Sequence, residues 1–286
     1  MKISLHSVFA VAAAASVLAW VPAAGAADLP QIREAGTLRV AVANEIPYGY
    51  VDPMGQAKGV GPETIAHIAR ELGIDRIEWS TTEFGALIPG IQAGRYDVVA
   101  AEMAILPDRC KQVAFSEPDS SYGEGLLVKK GNPEDIHSYE SFADSGHKVA
   151  LVTGADQLEM LQDLGVPQEQ LVVISSNADA ISTVATGRAD AYAATGQTVA
   201  HVAAKSDKVE LATPFEDPVI NGETVRSWGG FVVASDAPEL LAAINEELAK
   251  FKKTSDWRDI MEKYDFTQED MDRSFDKSTE ALCAAD

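Results

Sequence analysis

Two short segments of the sequence share one pattern, and each ends in a polar residue. Residues 93–102 read AGRYDVVAAE and residues 186–195 read TGRADAYAAT, so Glu102 and Thr195 occupy equivalent positions. Each segment predicts a helix end, a glycine turn and a buried strand. Because ligands of α/β sheets bind beyond the carboxyl ends of the strands, both residues are candidate ligand contacts. The repeat favours two lobes of the same build, although two common αβ turns can also match by chance.

The residue types that mark catalytic and metal sites are not grouped in this sequence. Four of the five histidines are scattered along the chain after the first 26 residues: His67, His137, His147 and His201. The sequence contains no Ser-His-Asp set, phosphate-binding loop or zinc-type cysteine spacing. If the protein were an enzyme, the carboxylates of Glu45 and Glu102 could act as its acid and base. We expect a binding protein without metal or cofactor, and keep the enzyme as the alternative.

The net charge limits the binding partners that we expect, and the cysteines bear on the cellular compartment. A formal net charge of −21 would repel nucleic-acid phosphates and anionic lipid, so we expect no nucleic-acid partner. The chain has only two cysteines, Cys110 and Cys283. In an oxidising compartment they could form one disulfide that ties the C-terminal tail to the body. Two free thiols are the alternative.

The first 26 residues are typical of a secretory signal peptide. Lys2 precedes an apolar run over residues 8–20, and Ala24-Gly25-Ala26 forms a small-residue cleavage site. No later segment approaches the ~18 consecutive apolar residues of a membrane helix. We therefore expect a protein exported to the periplasm, with an uncleaved N-terminal anchor as the alternative.

Short apolar runs alternate with helical periods along the rest of the chain. Strands are predicted at residues 38–43, 98–101, 126–128, 149–152, 171–174 and 231–234. Residues 62–72 and 239–253 each place apolar side chains on one helical face, the first using Ile65, Ile68 and Leu72. This alternation predicts an α/β fold with mainly parallel sheets flanked by helices.

Two segments rich in turn formers divide the chain into lobes. They are residues 116–123 and 217–222. We predict a first lobe from residues 27–120, a second lobe from residues 121–222, and a return to the first lobe with the C-terminal tail over residues 223–286. Two crossings of this kind form a hinge about which lobes can close on a ligand.

Several motifs occur in an order that is specific when taken together. They are residues 36–42 (GTLRVAV), 59–73, 83–90 (EFGALIPG), Arg109, 115–118 (FSEP) and 187–190 (GRAD). In this order the sequence resembles the periplasmic solute-binding proteins of amino-acid-type ABC transporters, solute-binding protein family 3. The resemblance covers nearly the whole chain after the signal peptide. It implies a two-lobed type II periplasmic binding fold, a monomer, and an ABC transporter permease as partner.

The resemblance also implies a set of ligand contacts. Phe84 matches the family aromatic that stacks on the ligand, and Arg109 matches the arginine that holds the ligand carboxylate. A planar guanidinium suits two carboxylate oxygens, and an aromatic face attracts a cation. Thr195 and the Thr153–Gly154 turn would contribute from the second lobe. An ordinary core position for Phe84 and a surface charge for Arg109 are the alternatives.

The departures from the family pattern bear on the ligand. Amino-acid binders of this family place an aspartate where Thr195 stands, and threonine cannot offset the desolvation of an α-ammonium as a carboxylate can. Glu102 replaces a usual glycine, Ala104 a usual hydroxyl residue, and Ala155 a hydroxyl residue that helps hold the ligand carboxylate. An ordinary α-amino acid therefore fits the pattern imperfectly.

Residues 43–50 (ANEIPYGY) resemble the ectoine- and hydroxyectoine-binding branch of the family. That resemblance implies that Glu45 faces the delocalised cation of the ligand, and that Tyr48 and Phe84 form two walls of an aromatic cage. The third wall of the branch falls at Ala104, so either another residue such as Tyr50 or Met103 closes the cage, or the ligand is larger or different. Glu102 would add a second negative charge. Surface or salt-bridged positions for Glu45 and Glu102 are the alternatives.

Together these features predict an extracytoplasmic protein that delivers a small zwitterionic solute to an ABC importer. Ectoine or hydroxyectoine is the best candidate solute. The alternatives are a polar amino acid, an opine or a betaine on the same fold, and an enzyme resembling cyclohexadienyl dehydratase.

Overall fold

The computed structural model describes residues 26–284. The strands are β1 Thr37–Val42, β2 Tyr50–Val51, β3 Ala57–Lys58, β4 Arg76–Thr81, β5 Val98–Ala104, β6 Ala114–Phe115, β7 Ser120–Tyr122, β8 Glu124–Lys129, β9 Val149–Val152, β10 Leu171–Ile174, β11 Ala191–Thr195, β12 Val209–Leu211, β13 Val219–Ile220, β14 Glu223–Thr224 and β15 Ser227–Val233. The helices are α1 Leu29–Ala35, α2 Val60–Glu71, α3 Leu87–Gln92, α4 Pro107–Cys110, α5 Ser141–Ser145, α6 Gln157–Asp163, α7 Ala180–Ala185, α8 Gly196–Ala203, α9 Pro238–Phe251, α10 Ser255–Lys263, α11 Gln268–Arg273 and α12 Thr279–Cys283. The predicted signal peptide lies outside the described residues except for Ala26.

Two sheets form the centres of two lobes. The first lobe contains a sheet with the order β4-β1-β5-β15-β6, and β7 also pairs with β15. The second lobe contains a sheet with the order β10-β9-β11-β8-β12. The predicted α/β fold of two lobes is confirmed.

Both sheets are mixed, so the prediction of mainly parallel sheets was wrong in this respect. Strands joined by helical crossovers pair in parallel, as β4 with β1 and β10 with β9 do. In contrast, β15 is antiparallel to β5, and β8 is antiparallel to β11. Both β15 and β8 enter their sheets directly after the chain has crossed from the other lobe, without a helical crossover.

The chain passes between the sheets twice. Only Gly123 separates β7 of the first sheet from β8 of the second. The return runs from β12 to β15 and includes the small hairpin of β13 and β14. The first sheet thus holds the chain as far as Tyr122 and again from Ser227, while the lobe limits at residues 120/121 and 222/223 stay predictions.

The repeated sequence pattern corresponds to a repeated structure. Gly94 and Gly187 both adopt a left-handed backbone, with φ of 66° and 75°. The carboxylate of Asp97 accepts a hydrogen bond from the backbone N–H of Arg39 at 2.8 Å, and Asp190 does the same with Lys148 at 2.7 Å. Each aspartate therefore joins one turn to a neighbouring strand segment in its own lobe, and each turn leads into a strand that ends at the cleft.

Apolar side chains are buried on both faces of each sheet. On α2 the predicted apolar positions Ile65 and Ile68 are 1% and 0% exposed, and the helix packs against β5. Phe231 of β15 is fully buried in the same core. At about 25 cal/mol per Å² of apolar surface, such burial holds each lobe together independently of any ligand.

A disulfide fixes the C-terminal tail. Cys110 at the end of α4 is bonded to Cys283 at the end of α12, so the tail is held against the first lobe. Over residues 26–284, no helix combines the length and the apolar character that crossing a bilayer requires.

Candidate ligand-binding cleft

A small cavity lies between the two lobes, at the ends of β5 and β11. The first lobe contributes Glu45, Tyr48, Phe84, Glu102 and Tyr122 to its lining, and the second contributes Asp156, Asn177, Tyr192 and Thr195. The space open to the centre of a water molecule is only about 40 Å³. The lobes are therefore closed on one another, as they would be around a small ligand.

Aromatic rings form much of the cavity wall. Tyr48 packs against Tyr122, with ring centroids 5.2 Å apart, and both side chains are almost fully buried. Phe84 lines the cavity as well. Ala104 also lines it, but Tyr50 and Met103 do not, so neither replaces the third wall. Tyr122, which the sequence reasoning missed, supplies an aromatic face on the first-lobe side instead.

Arg109 closes the edge of the cleft in this structure. Its guanidinium donates one hydrogen bond to the carbonyl of Ala104 and another, at 2.9 Å, to the carbonyl of Gly154 in the second lobe. It also lies 5.6 Å from the centre of the Phe84 ring. Arg109 is not among the residues that line the cavity. Its role as the carboxylate clamp stays a prediction, although three further N–H groups remain on the guanidinium.

The Thr153–Gly154 turn meets the first lobe backbone to backbone. Gly154 has a φ of 81°, and a Cβ added there would lie 2.9 Å from Cα of Gly85. The Thr153 hydroxyl donates to the carbonyl of Ile174 at 3.3 Å. Both residues of the turn are exposed and lie beside the cavity rather than in its lining. Their contact with the ligand stays a prediction.

Thr195 links the lobes and begins a helix. Its hydroxyl oxygen accepts a hydrogen bond from the backbone N–H of Thr198 at 3.3 Å and so caps α8. The same oxygen accepts a hydrogen bond of 2.8 Å from the Tyr48 hydroxyl across the cleft. Thr195 thus lies in the cavity, as predicted from its place at the end of a strand.

Glu45 lines the cavity from a loop after β1. Backbone hydrogen bonds between Glu45 and Gly49, of 2.9 and 2.8 Å, hold the loop. Its carboxylate accepts a hydrogen bond of 2.7 Å from the Thr198 hydroxyl of the second lobe. Burial raises the pKa of Glu45, and the nearby charge of Asp156 raises it further.

Glu102 lines the cavity, and its contact with a ligand stays a prediction. Its backbone adopts a φ of 48°, and its carboxylate accepts a hydrogen bond from the buried Ser120 hydroxyl. Burial and the neighbouring carboxyl of Asp119 raise the pKa of Glu102 well above its ordinary range. Burial raises the pKa of Asp119 to about 6. The pair therefore favours a shared proton, which removes much of the charge that Glu102 would otherwise bring.

Asp156 is a cavity residue that the sequence reasoning missed. It follows the Thr153–Gly154 turn and Ala155, and its carboxylate accepts a hydrogen bond of 3.3 Å from the Ser227 hydroxyl of the first lobe. The signal was available, because Ala155, directly before it, is a position that helps hold the ligand in related proteins. Within residues 26–284, no cluster of three or more His, Cys, Asp or Glu side chains could hold a metal ion.

Comparisons with known proteins agree with this geometry. A probable amino-acid ABC transporter periplasmic-binding protein, y4tE, of Sinorhizobium fredii is 50% identical over 96% of this chain and 92% of its own. A crystal structure of EhuB in complex with hydroxyectoine has a TM-score of 0.81 and 30% identity, covering 90% of this chain and 98% of that one. The ancestral amino-acid-binding protein AncCDT-1, a precursor of cyclohexadienyl dehydratase, has a TM-score of 0.70 and 30% identity, covering 82% and 98%.

The family assignment rests on most of the chain. Residues 38–268 match the sequence model of the bacterial extracellular solute-binding proteins of family 3. This region includes both sheets except for Thr37 at the start of β1, both crossings and every residue that lines the cavity. The chain therefore belongs to the family 3 bacterial extracellular solute-binding proteins, which bind small solutes for ABC transporters.

Proposed function

We propose that this protein captures a small zwitterionic solute with a delocalised cation, and that ectoine and hydroxyectoine are the best candidates. The closed protein would then deliver the solute to the permease of an ABC importer. The observation that carries the proposal is the composition of the cavity. Glu45 and the aromatic rings of Tyr48 and Phe84 face one small space, and Arg109 lies at its edge.

The chemistry of these groups matches the two ends of such a solute. A delocalised ring cation lying against an aromatic face gains ~0.5–2 kcal/mol, and more where water is excluded. A carboxylate such as that of Glu45 adds a charge-assisted hydrogen bond. At the other end, the free N–H groups of Arg109 suit the carboxylate of the solute. Similarity to the EhuB structure, which contains hydroxyectoine, supports the same choice.

Closure of the lobes provides the mechanism of capture. Hydrogen bonds cross the cleft around the cavity from Tyr48 to Thr195 and Gln197, from Thr198 to Glu45, from Arg109 to Gly154, and from Ser227 to Asp156. Because groups from both lobes line the cavity, a solute gains its full set of contacts only when the lobes close. Binding therefore shifts the population toward the closed form that the permease would receive.

A polar amino acid is the second candidate, and the acidity of the cavity favours one with a cationic side chain. Glu45 and Asp156 both line the space, whereas no lysine or arginine of the described residues lines it, and Arg109 lies at its edge. Structural neighbours at 26–29% identity include arginine-binding proteins in complex with arginine. An opine or a betaine would satisfy part of the same chemistry.

Thermal-shift screening followed by calorimetry tests the proposal. The mature chain is screened with ectoine, hydroxyectoine, glycine betaine, arginine and glutamine, and the dissociation constants of all stabilising solutes are measured. We expect ectoine or hydroxyectoine to give the largest shift and a micromolar or lower dissociation constant, which corresponds to ~8 kcal/mol or more.

Two variants locate the site. Arg109→Ala should abolish the shift, whereas Arg188→Ala, which removes an exposed arginine of the second lobe, should leave it unchanged. A clear shift with arginine or glutamine and none with ectoine or hydroxyectoine would replace the first candidate by the second.

A further inference from the structure

The cavity brings together two carboxylates from opposite lobes. Glu45 belongs to the loop after β1 in the first lobe, and Asp156 directly precedes α6 in the second. Burial is the main reason that the pKa of Glu45 is raised, and the nearby charge of Asp156 raises it further, so the two groups interact through the cavity. Two like charges that share a small, poorly hydrated space repel one another.

Neither carboxylate has a cationic partner in the part of the chain that the structure describes. Among the ion pairs of residues 26–284, none involves Glu45 or Asp156. The side chain of Asp156 has a single hydrogen bond in the described part of the chain, the long one of 3.3 Å from Ser227. Its charge is therefore poorly compensated when the lobes are closed.

A third carboxyl group, that of Glu124, lies near Asp156 but outside the cavity lining. Glu124 is 5% exposed, and its Oε2 accepts hydrogen bonds from Gln157 at 2.7 Å and Tyr139 at 3.0 Å, while Oε1 has no partner. Burial and the charge of Asp156 raise the pKa of Glu124 to about 8. The protonated form of Glu124 is therefore favoured at neutral pH, so Glu124 contributes little negative charge beside the cavity.

We infer that Asp156 is a specificity-determining residue, whose carboxylate opposes closure of the empty cleft and makes closure depend on a solute that brings a positive charge between the lobes. A cation placed between Asp156 and Glu45 turns their repulsion into attraction from both sides. A neutral or anionic solute would leave the repulsion in place, so the protein would remain mostly open. This inference rests on the proposed function for the location of the solute, but it does not depend on which cationic solute binds.

The test compares Asp156→Asn with Glu159→Gln. The second variant removes one negative charge from an exposed position of the same helix and serves as the matched control. Melting temperatures first establish that both variants fold. Calorimetry then measures the affinity of each protein for the tightest-binding solute of the panel described under the proposed function. Small-angle X-ray scattering measures the compactness of each protein without solute.

We expect Asp156→Asn to weaken binding of the cationic or zwitterionic solute at least about tenfold, the loss typical of a hydrogen bond to a charged group. The same variant should be more compact than the wild type in the absence of solute, whereas Glu159→Gln should match the wild type in both measurements. An Asp156→Asn protein that is no more compact than the control would overturn the inference. Failure of every solute to bind the wild type would instead overturn the proposed function, and the scattering comparison would still decide the role of Asp156.

Discussion

At the scale of single residues, the main feature of the cleft is a set of buried carboxyl groups whose surroundings favour the protonated form to different degrees. Glu102 shares its environment with Asp119, and Glu124 lies next to Asp156. Burial favours the neutral form of a carboxyl group, and a neighbouring negative charge favours it further. The acidic residues of the cavity therefore do not contribute equal charges, and a count of aspartates and glutamates in the sequence overstates the charge that a solute meets.

Glu124 should make the stability of the protein depend on pH. Its pKa is about 8 in the folded protein and near 4.5 in the unfolded chain, so the folded state binds more protons between these values. The contribution of Glu124 to stability is therefore present below about pH 4.5 and is lost as the pH rises toward 8. We expect the wild type to lose roughly 1–3 kcal/mol relative to Glu124→Gln between pH 5 and pH 8.

Urea unfolding of the two proteins at pH 5, 6, 7 and 8 measures this difference. Glu169→Gln, an exposed change in the same lobe, is the control and should follow the wild type at every pH. A difference between wild type and Glu124→Gln that stays constant with pH would mean that Glu124 is ionised in the folded protein.

At the scale of secondary structure, the carboxyl ends of strands and the turns after them carry the site. β5 ends at Glu102–Ala104, β11 ends at Thr195, and the turn after β9 carries Gly154 and leads to Asp156. Gly85 and Gly154 let the two lobes meet backbone to backbone at this edge. The turns therefore set how far the lobes can close, as well as which side chains reach the cavity.

Adding a methyl group at Gly154 should hold the lobes apart. In Gly154→Ala the new Cβ would lie 2.9 Å from Cα of Gly85 in the closed form, and the φ of 81° adds backbone strain. Gly187→Ala has the same kind of strain, with a φ of 75° and no atom within 4 Å of the new Cβ. Both variants should lose about 1 kcal/mol of stability, but only Gly154→Ala should also weaken solute binding, by about tenfold or more.

Calorimetry and urea unfolding of the two glycine variants separate these effects. Equal losses of affinity in both variants would show that the contact between Gly85 and Gly154 does not limit closure.

Many of the strands and helices that carry the site could be predicted from the sequence, because the patterns that mark them are local. The apolar period of α2 identified Ile65 and Ile68 as core positions, and the repeated pattern identified Thr195 at a strand end. The direction of β8 and β15 could not be predicted, because it depends on how the chain crosses between lobes. Tyr122 and Tyr192 were missed for a related reason, since only the packing of distant strands brings their rings to one cavity.

At the scale of the whole molecule, two lobes of mixed sheet close over a space that neither encloses alone. The placement of Glu45, Tyr48, Phe84 and Thr195 in that space agrees with their selection from the sequence, while the contacts of each with a solute stay predictions. Arg109 illustrates the limit of sequence reasoning. Its role as the carboxylate clamp stays a prediction, and its bond to the carbonyl of Gly154 could not be predicted because that bond depends on the closed arrangement of the two lobes.

A crystal structure of residues 27–286 with their tightest solute tests the central claim most directly. The account predicts that the solute lies between Tyr48 and Phe84, with its cation between Glu45 and Asp156 and its carboxylate on Arg109. Solute bound outside the space between the two sheets, or bound there without contact to either Glu45 or Asp156, would contradict it.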